Sequence, residues 1–182
     1  MPSSCKYLPL LAVIVLFACK APSKVYDLHQ MKDFNIEAGN EFVNKIERVK
    51  GINMISILDT RYDGNDFRVN NQEIFLDTTQ QDQPNYYSYK KRAAELHIPA
   101  DSLFSCLKLF DKMKVNEFER DENHYRFRVI VGFTTNRGYI YSYNGNSKTG
   151  DTLMATSGEH PFKVILTKQL DTHWFEYYEK PM

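Results

Sequence analysis

The chain has 182 residues, 23 Lys+Arg against 23 Asp+Glu, and no net charge at neutral pH. A balanced surface lacks the basic excess with which a protein tracks a phosphate backbone, which argues against nucleic acid as a partner. With 42% hydrophobic and 14% aromatic residues and only 8 Gly and 7 Pro, a disordered or collagen-like chain is also excluded.

At the N-terminus a short polar start with one cation, Lys6, leads into an apolar run from Leu8 to Ala18. As a helix this run spans roughly 16 Å, about half the hydrocarbon core of a bilayer, so it is too short to cross one stably. Its length and shape are those of a secretory leader. The tetrad Leu16-Phe17-Ala18-Cys19 that follows resembles the lipobox of bacterial lipoproteins. That resemblance implies cleavage after Ala18 and a diacylglycerol on Cys19. It also implies attachment to a membrane of the cell envelope. Lys20 stands where the resemblance would place an Asp for retention at the inner membrane, and no acidic run follows it. The expected location is therefore the periplasmic face of the outer membrane. Three parts are expected: a leader over 1–18 that is removed, a lipidated tether over 19–34, and one domain over 35–182. Cys5 leaves with the leader and lipid consumes Cys19, so Cys106 remains alone and the domain must stand on its core. Its apolar neighbours predict a buried, inert thiol.

Within the domain, Phe42, Ile46 and Val49 predict an amphipathic helix over Glu41–Lys50, stopped by Gly51. Met54–Arg61 and Phe67–Asp77 read as strands of a hairpin turned at Asp63-Gly64-Asn65. Residues 86–97 and 102–114 predict two helices. Tyr89, Ala93 and Leu96 mark one face of the first, and Leu103, Leu107 and Phe110 one face of the second. Asp101 reads as an N-cap, and His97-Ile98-Pro99-Ala100 makes the pair an αα-hairpin. From Tyr125 onward, aromatic and β-branched residues alternate with Arg126 and Arg128, the pattern of a strand with one buried face. Asn136-Arg137-Gly138 reads as a three-residue hairpin loop, which would pair Phe133 with Tyr141 and put Tyr139, Tyr141 and Tyr143 on the core side. A last hairpin joins Phe162–Leu170 to His173–Glu179 through Asp171-Thr172. The expected class is α+β: an antiparallel sheet with an N-terminal helix and an αα-hairpin packed on one face.

No catalytic constellation stands out. Centring a calcium loop on Gly64 puts Arg61 and Asn70 where an oxygen ligand and a bidentate Glu are needed. His29, His97, His124, His160 and His173 show no paired spacing and no nearby Cys, so neither a metal nor a cofactor is expected. Ser157, His160 and Asp171 lack a nucleophile elbow. Glu117 and Glu119, two apart on a strand, read as a solvated face. What remains is the aromatic surplus, 12 Tyr, 12 Phe and one Trp, which fills a core or forms a recognition surface. The two-residue turn at 171–172 would send Trp174, Tyr178 and Ile165 opposite the apolar side of their strands, as an exposed strip fit for a partner. The sequence thus points to a lipid-anchored, non-catalytic binding module, with an envelope protein, a glycan or an apolar ligand as its partner. The alternative is an envelope hydrolase whose site is assembled from distant residues.

Overall fold

The structure is a computed structural model, and it describes residues 34–57, 67–70, 75–77, 86–121, 123–129, 136–157 and 160–182. The leader, Cys19, the tether before Phe34, the turn at 63–65 and the calcium-like stretch after Asp59 lie outside the described residues. In chain order the elements are α1 (Ile36–Ile46), β1 (Met54–Ile57), β2 (Phe67–Val69), β3 (Phe75–Asp77), β4 (Tyr86–Ser88), α2 (Tyr89–Glu95), α3 (Ala100–Lys112), β5 (Glu117–Arg120), β6 (His124–Val129), β7 (Arg137–Ser142), β8 (Thr152–Ser157), β9 (His160–Gln169) and β10 (Trp174–Pro181). The described strands form one sheet in the order β4-β3-β2-β1-β5-β6-β7-β10-β9-β8. Every neighbouring pair is antiparallel except β3 and β4. The fold is α+β.

Helix α1 starts at Ile36, earlier than its apolar spacing suggests, because the Asn35 side chain accepts the Ala38 N–H at 2.9 Å and caps it. It also ends earlier, at Ile46 rather than Lys50. There Arg120, from β5, donates to the carbonyls of Ile46 at 2.6 Å and of Val49 at 3.2 Å, which also accept the backbone N–H groups of Val49 and Ile52. The segment expected to be helical from residue 86 begins as β4, paired with β3, and becomes α2 only at Tyr89. Its adjacent Tyr86 and Tyr87 favour a strand. Asp101 is not the cap of α3: Pro99 holds that position, and Asp101 lies in the first turn, where its charge suits the helix dipole.

Alternation along the strands divides the sheet into two faces. On one, Phe42 and Ile46 of α1, Ala93 of α2 and Leu103, Leu107 and Phe110 of α3 pack with Ile55, Val69, Phe118, Tyr125, Phe127, Tyr139 and Trp174 in the main core. Phe42 meets Phe118 edge-on at 4.9 Å between ring centres, a favoured aromatic geometry. On the other face, Ile140, Phe162, Val164, Leu166, Phe175 and Tyr177 form a smaller cluster. Among the described residues no helix contributes to it, and the sheet curls around it. Arg126 lines up through Ile140 with Phe175, whereas Phe162 pairs with Pro181, so on a flat sheet the two would lie about 20 Å apart along the strands. Yet the Arg126 guanidinium sits 4.8 Å from the Phe162 ring centre, and the face is therefore concave.

This curl corrects two expectations. Arg126 and Arg128 do alternate with the core aromatics, but Arg126 is only 4% exposed. Glu117 and Glu119 are not a solvated face; they pair with these arginines across β5 and β6. The register of β6 with β7 also differs from the one its turn chemistry predicts. Phe127 pairs with Tyr139 and Val129 with Arg137, so Gly138 lies inside β7 rather than in a loop. It is needed there for close approach: a Cβ on it would strike the carbonyl oxygen of Phe127. The slip is an even number of residues, so Tyr139 and Tyr141 still face the main core.

Candidate functional site

The β9–β10 ladder reconciles two registers. Near the turn Phe175 pairs with Gln169; beyond a bulge at Glu176/Tyr177, Tyr177 pairs with Leu166 and Tyr178 with Ile165. The bulge leaves Thr167 unpaired in register and turns Leu170 toward the helix-covered face, where it packs at the margin of the main core. Phe162, Val164 and Leu166 share one side of β9 as their alternation predicts, but it is the concave face opposite the helices and not the helix-covered core.

Trp174, Tyr178 and Ile165 do lie opposite Phe175 and Tyr177, but they do not form an exposed strip. Trp174 is completely buried, a correction to its expected place near solvent. Because α1 begins at Ile36, its first turns lie over the indole. Gly39 permits this approach, since a Cβ there would come within 2.7 Å of the ring. The indole N–H donates to the Asn40 side chain at 2.7 Å, and Phe127 and Tyr141 pack against the ring. Tyr178 and Ile165 are partly exposed and directly paired.

Beside the buried Trp174, where α1 stops covering the sheet, a groove of about 730 Å³ opens. Its walls come from three strands and the start of α1. Arg137 and Tyr139 stand on β7, Glu176 and Tyr178 on β10, Thr167 and Lys168 on β9 with Leu170 just beyond, and Phe34 and Ile36 at the helix entry. Phe34, which the sequence assigns to the tether, stacks on Tyr139 with ring centres 3.8 Å apart. Most polar groups of the groove are already engaged. Lys168 pairs with Glu176 at 3.2 Å, and the Thr167 hydroxyl donates to the Glu176 carbonyl at 3.1 Å. Arg137 is exposed at the rim and has no ion pair among the described residues. Of the expected strip, then, Tyr178 lines this groove, Ile165 is its cross-strand neighbour, and Trp174 supports the wall from beneath. Sequence reasoning missed Phe34, Ile36 and Arg137. The capping residue Asn35, just ahead of Ile36-Glu37, was the signal that α1 begins there.

The concave face holds a different kind of cluster. Glu117 accepts from Arg128 at 2.8 Å, Glu119 accepts from Arg126, and Glu179 accepts from Arg128 at 3.2 Å and from Asn136 at 2.6 Å. Burial pushes the Glu117 carboxyl above the usual carboxylate range, against the attraction of Arg128 and with added repulsion from Glu119 and Glu179. Burial likewise raises the Tyr177 phenol, whose hydroxyl has no hydrogen-bond partner among the described residues. This network joins β5, β6 and β10, and each of its carboxylates is held by a guanidinium.

The other chemistry-bearing residues stay apart. Ser157 pairs with His160 where β8 turns into β9, while Asp171 lies past the far end of β9, roughly 30 Å along the strand. His97 is exposed, His124 is half-buried on β6, and His173 stacks on Tyr141 with its Nδ1 2.8 Å from the Ser142 carbonyl. Among the described residues no group of three His, Cys, Asp or Glu is placed to hold a metal ion. Cys106 is fully buried in α3, and its thiol is pushed up to about 11 by burial, against weaker lowering by Lys45 and Arg120. No described helix is long and apolar enough to cross a membrane. Comparisons with protein families, curated proteins and solved structures gave no match.

Proposed function

We propose that this protein is a lipid-anchored component of the cell envelope, attached through Cys19 at the periplasmic face of the outer membrane, and that it works as a non-catalytic binding module. The observation that carries this reading is the open groove of about 730 Å³ at the point where the chain enters the domain. Its volume suits a single bound molecule, and a concave, mainly apolar wall with a few polar groups is the usual form of such a site. The alternative, an envelope hydrolase, would draw on the carboxylates of the concave face. Those are committed to Arg126 and Arg128.

A photoreactive phenylalanine analogue placed at Tyr178 of the full chain, in its native envelope, tests the reading. The expected result is a discrete adduct that forms in the membrane fraction and is lost with Cys19→Ser, because the domain then leaves its anchor. An unmodified Cys19 by mass spectrometry, or an adduct indifferent to Cys19→Ser, would remove the anchor from the proposal. Absence of any adduct at Tyr178 would remove the groove.

A further inference from the structure

The chemistry of the groove restricts what fits it. β7, β10 and β9 are hydrogen-bonded to one another beneath it, so its floor offers no free strand edge to an incoming peptide. A glycan would bring many hydroxyls, whereas Lys168, Glu176 and Thr167 already give part of their hydrogen-bonding capacity to contacts within the wall. The apolar wall of Phe34, Ile36, Tyr139 and Leu170 calls for an apolar body. At the rim, Lys168 and Glu176 cancel, whereas Arg137 presents a guanidinium with no ion pair among the described residues. A guanidinium is the side chain best shaped to take a carboxylate or phosphate oxygen pair.

We infer that the groove binds a single amphipathic anion, its hydrocarbon or aromatic body lying against Phe34, Ile36, Tyr139 and Leu170 and its acidic group meeting Arg137. The inference rests on the binding-module reading and narrows it to one ligand class. Tyr178, paired directly with Arg137 across β7 and β10, stands beside the acidic group and flanks the ligand.

The test uses the full chain in its own membranes and three diazirine-bearing probes of equal length: dodecanoate, dodecanol and dodecyltrimethylammonium. Adducts are mapped by mass spectrometry and normalised to labelling of the surrounding lipid. The expected result is labelling on the segments 136–143 and 165–178, with dodecanoate favoured roughly five- to tenfold over the other two probes. Arg137→Gln should abolish that preference and Arg137→Lys should keep most of it, while Trp174 fluorescence reports that both variants are folded. Equal labelling by all three probes, or a preference untouched by Arg137→Gln, overturns the anion assignment and leaves the binding reading standing. Labelling that emerges only after deletion of residues 25–33 overturns it too, since the chain's own segment would then be the occupant. If no probe labels the groove and the Tyr178 photo-crosslink is also absent, both readings fail together.

Discussion

The single tryptophan ties α1 to the sheet. Trp174 is sealed between α1 and the sheet, and its one polar atom is satisfied by Asn40 from the helix above. Asn40→Ala should therefore cost about 1–2 kcal/mol, because the buried indole N–H loses its partner. Trp174→Ala should cost about 3–5 kcal/mol through the cavity it leaves. Urea unfolding checks both, followed by indole fluorescence for Asn40→Ala and by circular dichroism for Trp174→Ala. The half-buried His124 gives a second prediction at this scale. Burial holds its pKa below the usual imidazole value, against the pull of Asp121. The unfolded chain thus takes up the proton first as pH falls, near 6.5. Stability that is intact above about 6.5 is lost as pH drops through the depressed folded value. Glu117 acts in the opposite sense at lower pH: its raised pKa lets the folded state take up the proton first, relieving a buried charge. Thermal midpoints across this range should fall on acidification in the parent, and the fall between about pH 6.5 and 5 should be smaller in His124→Gln.

At the scale of elements, Gly138 sets how tightly β6 and β7 coil. Gly138→Ala puts a methyl group into the backbone carbonyl of Phe127, and no rotamer change can relieve that. We expect a loss of at least about 3 kcal/mol or failure to fold, measured by denaturant unfolding of the variant. This residue also shows what the sequence reveals and what it hides. Read locally, Asn136-Arg137-Gly138 has turn chemistry, whereas the structure uses the glycine for close approach within a strand. The facing of Tyr139 and Tyr141 survived because period-2 alternation fixes parity whatever the loop length. The class of the fold and the existence of its helices were legible for the same reason, being written in spacing over a few residues. The bounds of α1 and α2 and the register of β9 with β10 near their turn were not: Phe175 pairs with Gln169 there, so the two-residue turn at 171–172 does not form as expected. Coverage is not written in local spacing either. Alternation places Arg126 and Arg128 together on one face and Trp174 opposite Phe175, but whether a face meets water depends on sheet curvature and on where a distant helix begins. The groove was legible only in Tyr178, since Phe34, Ile36 and Arg137 join it through contacts between elements far apart in the chain.

Over the whole molecule, two cores share one sheet, the larger roofed by helices and the smaller closed by curl. β10 belongs to both, with Trp174 in the first and Phe175 and Tyr177 in the second; β7 does the same with Tyr139 and Ile140. Backbone amides of these two strands should exchange with solvent only on global unfolding. Those of β8 and β4, at the sheet edges, should exchange through local opening orders of magnitude faster. Hydrogen–deuterium exchange resolved by fragment would check this. Comparable protection at the edges and at the centre would mean that the two cores do not stabilise the sheet through β7 and β10.

The place of β10 has a consequence for how the protein is made. It is the last strand in chain order, yet it lies between β7 and β9. Until residues 174–181 have been synthesised, β7 has a bare edge, α1 has no indole to close on, and the β8–β9 hairpin has no neighbour to join. A nascent chain with that layout cannot close its sheet before β10 emerges. The two parts of the sheet remain apart until residues 174–181 join them, so assembly waits on a strand made after the nine described strands it must unite.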